Sequence, residues 1–399
     1  MNNKCIILLS LAATLSLNAF EIKSEQFSIK NSIGIGSILN YEYDSNVDIK
    51  SEAAIALYGN VNAKYLYNSK IEATVNISYG TNLTNKMGIK SKYNGLYSEY
   101  NNIEESYVFF SEAYVSYLLN DDTNIMLGYQ SFSIPFFNKD KTTTILKNSF
   151  ESFVTEYIGI SDLYVIGGYI NRMAGNSNNG QGYNIQSHYK SLYADAKGQT
   201  AFVGANYNYS SYLELDAYYY NINRIANVAY GEVKGKYVYE VGEDKFLNNY
   251  YVQYAQISEL EKSNYYGNVI GVKAALEYND YNINASYNSS DSVASNIKIT
   301  RGLSPYYTTT ETFSIEELVG NASAMKLNLK AKNKGNITYD ASVVYASADN
   351  NLKELIVEGK LDYNASSNLK MSTALINRKN LNDSNMDKYT IFGKIEYSF

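Results

Sequence analysis

The chain has 399 residues, of which 43 are tyrosine, two are proline, one is cysteine and none is tryptophan. This length suits one large domain or two ordinary ones, and the formal net charge of −6 gives no reason to expect a nucleic-acid partner. A soluble protein of this size would carry roughly ten times as much proline, at about 5% usage. We therefore expect a fold that excludes proline nearly everywhere.

The N-terminus has the three parts of a secretory signal peptide. Lys4 is the basic start, Cys5–Leu17 form an apolar core, and Ala19 is a small residue at which a signal peptidase could cut. We predict a signal peptide over residues 1–19 and one mature domain over 20–399; a buried N-terminal helix is the alternative. The only cysteine would leave with the leader, which excludes disulfides and cysteine-ligated metals from the mature chain. No run of about 18 apolar residues follows the leader, so we predict no transmembrane helix after it.

Beyond the leader, apolar and polar residues alternate with a period of two, which is typical of β-strands. In Ile71–Tyr79 the odd positions are apolar or tyrosine and the even positions are polar. Gly34 and Gly36 fit strand positions that allow curvature or close packing. No window of comparable length favours the helical period. The same alternation recurs at 281–287, 325–331, 337–345, 355–363 and 388–399.

The connections between the predicted strands differ in length. The short ones are rich in turn residues and lie at 68–70, 210–211, 279–280, 333–336 and 364–368. The long ones lie at about 80–106, 130–152, 172–198 and 290–322. This spacing predicts about 18 strands; 226–260, with a connector at 240–247, defines its strands least clearly.

Both prolines, Pro135 and Pro305, fall in long connections and not in predicted strands. In a closed sheet every strand is central, so a missing backbone N–H would break a ladder hydrogen bond. The distribution of proline therefore indicates a closed sheet.

Two all-β architectures would show this alternation: a soluble sandwich, such as a secreted adhesin, and a membrane barrel. A barrel of about 18 strands encloses a lumen too wide for side chains to fill, so its inner face is polar. Tyrosines stand near both ends of the apolar faces, as at Tyr281 and Tyr287, a spacing of about 20 Å that suits the aromatic girdles of a barrel. The pattern favours an all-β, antiparallel transmembrane β-barrel.

The final strand, Lys388–Phe399, alternates up to its last residue. A strand that closes a barrel cannot fray without exposing backbone groups to hydrocarbon. The ending, with Tyr397 and Phe399, resembles the terminal signal that outer-membrane barrels present to their assembly machinery. This resemblance implies the outer membrane of a Gram-negative bacterium, with lipid, lipopolysaccharide and the barrel assembly machinery as partners.

The segment 127–140, with 148–151 and 161–169, resembles the third-loop region of OprD-type (Opr family) porins. Weaker similarity continues at 203–207, 217–222 and 320–324. The resemblance implies an 18-stranded barrel, monomeric or loosely trimeric, whose third and seventh loops fold inward and narrow a pore for small hydrophilic solutes such as anions, carboxylates or amino acids. It places the constriction at Pro135, Lys139, Asp140, Lys141 and Glu151, unless the prolines lie in ordinary surface loops.

The same resemblance implies a row of basic residues along the lumen. On strand parity, the candidates for this row are Lys273, Lys326, Lys330, Lys360 and Lys394. The alternative is that they are solvated charges cancelled by Glu277, Glu358 and Glu396. Porins of this type use a row rich in arginine, whereas none of the four arginines here is assigned to the lumen: Arg172, Arg224, Arg301 and Arg378.

Enzyme chemistry has little support in the sequence. His188 is the only histidine and lies in a long Gly- and Asn-rich connection, where a solvated loop residue is the simpler interpretation than a catalytic base. We expect no enzyme activity, no cofactor and no metal site. A barrel that acts mainly as an adhesin or structural surface protein is the alternative to a porin.

Overall fold

The computed structural model describes residues 22–23, 26–44, 47–82, 107–138, 148–176, 185–192, 198–242, 244–260, 266–291, 299–333, 336–382 and 387–399. The predicted leader, residues 1–19, lies outside these stretches.

Twenty strands and one 3-10 turn, Ile315–Glu317, make up the regular structure of these residues. In chain order the strands are β1 (Ile22–Lys23), β2 (Phe27–Asp44), β3 (Val47–Asn68), β4 (Ile71–Asn82), β5 (Tyr107–Asn120), β6 (Thr123–Gln130), β7 (Ser149–Ile160), β8 (Leu163–Asn176), β9 (Ile185–Ser191), β10 (Thr200–Ser210), β11 (Leu213–Ile222), β12 (Ala226–Val241), β13 (Asp244–Glu259), β14 (Tyr266–Tyr278), β15 (Tyr281–Ser290), β16 (Ala322–Lys332), β17 (Ile337–Ala348), β18 (Lys353–Asn364), β19 (Leu369–Asn380) and β20 (Asp387–Ser398). No helix in the described residues is long and apolar enough to cross a membrane.

Eighteen of these strands, β2–β8 and β10–β20, form a closed antiparallel ring. Each pairs with its neighbours in chain order, and β8 pairs directly with β10. The ring closes where β20 pairs with β2, from Ser398 opposite Ser32 to Asp387 opposite Tyr43. Short β1 extends the edge of β2, and β9 pairs with the end of β8 beyond the ring. The predicted fold class and strand number are confirmed.

Side chains alternate between an outer and an inner face along each strand of the ring. On β16, Met325, Leu327 and Leu329 point outward and are exposed, Leu327 by 64%. Leu327 lies in register between Ala285 of β15 and Val343 of β17, so the outer face is apolar across neighbouring strands. So large an exposed apolar surface is not that of a soluble protein.

The inner face differs from the prediction of a polar wall throughout. Toward the long-connection end, apolar side chains point inward and are buried, among them Val344, Ile356 and Ile376. They are covered by parts of two long connections that fold into the ring: residues 131–138, called here the first inward segment, and residues 299–321, the second inward segment. The inward-pointing apolar side chains of the wall thus form the surface on which the two inward segments pack.

Two predicted boundaries are wrong. The connector expected at 240–247 is a tight turn, because β12 continues to Val241 and β13 begins at Asp244, with Gly242 at a φ of 65°. Glycine accepts the left-handed backbone that such a turn requires. The connection expected at 172–198 contains strand structure, since β8 runs to Asn176 and β9 follows.

Candidate functional site

The first inward segment follows β6 and carries Pro135. Ile134 and Phe137 exchange backbone hydrogen bonds, which makes a small hairpin with Phe136 at a φ of 69°. The Phe136 ring packs edge-on against Tyr220 and Tyr230 of the wall, with centroid distances of 5.6 and 5.7 Å. The Tyr220 hydroxyl donates to the Pro135 carbonyl over 2.6 Å. Aromatic packing thus holds this segment inside the ring.

The two inward segments are joined to each other. The backbone N–H of Arg301 donates to the Phe136 carbonyl over 2.6 Å, and the N–H of Asn138 donates to the Arg301 carbonyl over 2.8 Å. The Arg301 side chain is fully buried, and its Nε donates to the Leu192 carbonyl over 2.7 Å. Arg301, which the sequence left unassigned, therefore links the first segment, the second segment and the end of β9.

The second inward segment runs along the wall from β12 to β19. The Tyr307 hydroxyl donates to Glu232 of β12 over 2.8 Å. The Thr308 N–H donates to Asn288 Oδ1 of β15 over 3.0 Å. Lys326 Nζ of β16 donates to the Thr309 carbonyl over 2.7 Å. These contacts show a lining attached to the wall over several strands.

Two cations of the wall hold the far part of the second segment. Lys360 of β18 lies 2.6 Å from Glu311 of the segment and 3.2 Å from Glu358 of its own strand. The Glu311 side chain is 3% exposed and that of Glu358 is 4% exposed. Because each carboxylate is nearly buried, the lysine supplies a counter-charge to two carboxylates that are largely shielded from water.

The second cation is Arg378 of β19, which has the same arrangement. It lies 3.0 Å from Glu317 of the segment and 2.8 Å from Glu354 of β18. Its Nη1 also donates to the Thr312 carbonyl over 2.8 Å. The sequence assigned no arginine to the lumen, because alternation does not reveal partners in a distant connection.

All five predicted lysines lie on the inner face, but they do not form one open row. Lys326 and Lys360 hold the second segment. Lys273 Nζ lies 4.6 Å from the Tyr251 ring centroid and 5.9 Å from that of Tyr307. Lys330 and Lys394 make no ion pair with the residues that the structure describes. The row therefore divides into residues that dock the segment and residues that remain available in the bore.

A cluster of carboxylates surrounds a lysine that sequence parity did not identify. Lys234 Nζ of β12 lies 2.7 Å from Glu214, 2.6 Å from Asp216 and 3.9 Å from Glu232. In the register Lys234 faces Tyr251, which faces Lys273. This side of the bore is thus acidic overall, directly beside the basic residues. Because the boundary at 240–247 was predicted wrongly, the inward and outward positions of this strand could not be assigned from the sequence.

The predicted constriction residues are only partly described. Pro135 lies in the first inward segment, whereas Lys139, Asp140 and Lys141 lie outside the described residues. Glu151, predicted at the base of the loop, is the third residue of β7 and forms an ion pair with exposed Arg172 of β8. Asn171 also donates to Glu151 over 3.2 Å. Its described partners are therefore strand residues, and not residues of the inward segments.

At the closing strand, Tyr397 lies opposite Ile33 of β2, and the Phe399 N–H donates to the Asn31 carbonyl over 2.9 Å. The two aromatic rings pack edge-on at 4.7 Å. His188 falls in β9, and its side chain lies outside what the structure describes. In the described part of the chain, no group of three acidic, histidine or cysteine side chains could hold a metal.

No protein-family model and no curated protein matches the sequence. Solved structures match nearly the whole chain. OccK9 (OpdG) of Pseudomonas aeruginosa has a TM-score of 0.73 at 12% identity, over 93% of this chain and 98% of that one. A BenF-like porin from Pseudomonas fluorescens Pf-5 has a TM-score of 0.71 at 11% identity, over 93% and 98%. OccAB4 of Acinetobacter baumannii has a TM-score of 0.68 at 11% identity, over 94% and 99%.

The fold is that of these porins. The predicted resemblance to OprD-type porins is thereby confirmed for the architecture: an 18-strand ring that spans nearly the whole length of each similar structure. At these identities the likeness is one of fold, so the solute that the bore would accept must be argued from the residues of this chain.

Proposed function

We propose that this chain is a porin of the Gram-negative outer membrane, exported by its predicted leader, through which small hydrophilic solutes diffuse passively. The observation that carries the proposal is a closed 18-strand ring with an apolar outer face and two segments attached to its inner wall. A ring of this size leaves a water-filled lumen. Segments attached to the wall narrow that lumen and give it a fixed lining.

Small anions, carboxylates above all, are the solute class that we favour. Lys330 and Lys394 are cations of the bore that have no ion pair among the described residues, and Lys273 lies beside the rings of Tyr251 and Tyr307. Sites that hold an anion weakly allow it both to enter and to leave. Among the similar porins, OccK2 (OpdF) was solved with glucuronate and OpdK with vanillate, and both of these ligands are carboxylates.

A planar-bilayer recording of the purified protein under a salt gradient tests the pore. We expect stepwise ohmic currents and a reversal potential on the anion side. A folded protein that leaves the bilayer sealed, and liposomes that do not swell in small carboxylates, would contradict the pore and favour the adhesin or structural alternative.

Charge reversal at one available lysine tests the solute class. Lys330→Glu replaces a cation of the bore by an anion without removing a contact to the second segment, so the reversal potential should move toward cations. Lys70→Glu is the matched control, because Lys70 lies in the tight turn between β3 and β4, outside the bore. Equal shifts in both variants would show that the bore lysine has no particular role.

A further inference from the structure

Glu316 occupies an unusual place in the second inward segment. It lies in the 3-10 turn and is 5% exposed. Its Oε1 is buried without a hydrogen-bond partner, and the same holds for Thr300 Oγ1, Ser304 Oγ and the Tyr306 hydroxyl. Burying an ionised carboxylate with one oxygen unpaired is costly, and such a group commonly becomes neutral instead.

The charged groups around Glu316 are few. Arg301 and Glu317 belong to the same segment as Glu316. The charge of Arg301 lowers the pKa of Glu316, and the charge of Glu317 raises it. Glu317 is itself paired with Arg378. The turn packs against β15 and β16, and of the charged residues in those two strands, Lys326 contacts the segment, through Thr309. Among the described residues Glu316 therefore forms no ion pair, and Arg301 acts on it without a direct contact between the two charges.

We propose that Glu316 is a proton switch: the second inward segment lies against the wall while Glu316 is protonated, and loss of the proton loosens it. The inference rests on the proposed function, because the segment lines the proposed pore. A proton suits the site better than a metal ion does, since one carboxylate and three hydroxyls give little negative charge and Arg301 adds a positive one.

The sign of the pH effect follows from linkage. Burial raises the pKa of Glu316 to about 7, although Thr300, Arg301 and Ser304 act in the opposite direction. A free glutamate titrates near pH 4.3. Between these values the docked segment holds a proton that the released segment has lost, so docking weakens as pH rises. Above about pH 7 the effect levels off, with a docking constant lower by on the order of a hundredfold.

Single-channel recordings between pH 5.5 and pH 8 test the switch, because ordinary carboxyl groups stay ionised over this range. For the unmodified protein we expect transient closures to become more frequent up to about pH 7 and then to level off. In Glu316→Gln, which mimics the protonated side chain, the closure frequency should stay at its acidic value at every pH. His188→Asn removes the only histidine and should leave the pH dependence unchanged.

A readout that does not depend on the pore keeps the two proposals separate. The infrared carbonyl band of a protonated carboxylic acid should disappear with a midpoint near pH 7 and be absent from Glu316→Gln. Closures that do not change with pH, a titration that persists in Glu316→Gln or one that is lost in His188→Asn would each overturn the switch. A sealed bilayer with the infrared titration intact would contradict the porin alone.

Discussion

Single side chains decide whether the second inward segment stays on the wall. Lys360 and Arg378 each lie between one glutamate of β18 and one glutamate of the segment. In each case the cation balances a wall carboxylate and at the same time holds the segment. Lysines that sequence parity predicts as solute sites are therefore partly structural, and the bore keeps fewer available cations than the predicted row of five.

Removing one of these cations should release the segment. In Lys360→Met the buried carboxylates of Glu311 and Glu358 lose the counter-charge of this lysine, and removing one partner of a buried ion pair costs roughly 3 kcal/mol or more. Because every 1.4 kcal/mol is a factor of ten, amide exchange of the segment should become about a hundredfold faster. Hydrogen-exchange mass spectrometry of peptides from 299–321 measures this change.

Two further variants control for the loss of a lysine. Lys330→Met removes an exposed lysine without an ion pair among the described residues and should leave exchange in 299–321 unchanged. Lys360→Met combined with Glu311→Gln removes both partners and should recover part of the protection, since neighbouring sites are not additive. Equal exchange in Lys360→Met and Lys330→Met would show that this ion pair does not hold the segment.

At the scale of elements, the contact between the two inward segments depends on a residue without a side chain. Gly302 has a φ of 102°, and a Cβ placed on it would lie 2.2 Å from the Asn138 carbonyl oxygen. The obstructing atom belongs to the backbone, so rotation of a side chain cannot relieve the clash. A glycine here allows the close approach that the Arg301–Asn138 hydrogen bond requires.

Gly302→Ala should therefore separate the two segments. The left-handed backbone alone costs an alanine about 1 kcal/mol or more, and the clash adds to this cost. We expect faster hydrogen exchange in 131–138 and 299–321 together, with the strands unchanged. Gly359→Ala in β18 is the matched control, because a Cβ there meets no atom within 4 Å. If only one segment loosens, the link between them is not what holds both.

The strands could be predicted from the residues themselves, whereas the inward folding of two long connections was expected only from the resemblance to OprD-type porins. The contacts that hold those connections on the wall could not be predicted. Alternation is a local signal, and it identifies β16 and β20 together with the inward direction of Lys326 and Lys394. Glu311, the partner of Lys360, is 49 residues away in a connection. A local pattern of alternation cannot predict a contact between residues so far apart in the chain. One clue to the inward segments was present: Leu355, Ile356 and Val357 are consecutive apolar residues, so both faces of β18 must be covered there.

At the scale of the whole molecule, the closed ring separates two environments that sequence alternation alone leaves undecided. The outer face carries exposed leucine, valine, methionine and tyrosine, and the inner face carries the charges. Closure removes the open sheet edges that hydrocarbon would not tolerate. In a soluble protein with the same alternation, a second sheet would have to cover these apolar side chains. The described strands all belong to one sheet, so no second sheet among them covers the outer face.

A pair of arginine substitutions at neighbouring positions tests this assignment of the two faces. Leu327, in the middle of β16, points outward, and Asn328 points inward, where its Nδ2 donates to the Ala341 carbonyl over 3.2 Å. On the lipid face of a barrel an arginine near the bilayer midplane costs roughly 2–4 kcal/mol. Leu327→Arg should therefore lower the free energy of unfolding in lipid vesicles by about this amount, as followed by circular dichroism in a denaturant titration. Asn328→Arg should cost far less, because the bore is wet and the carboxylate of Asp340, which accepts a hydrogen bond from Asn328, lies close by in the wall. Equal losses, or a larger loss for Asn328→Arg, would mean that lipid does not contact the outer face.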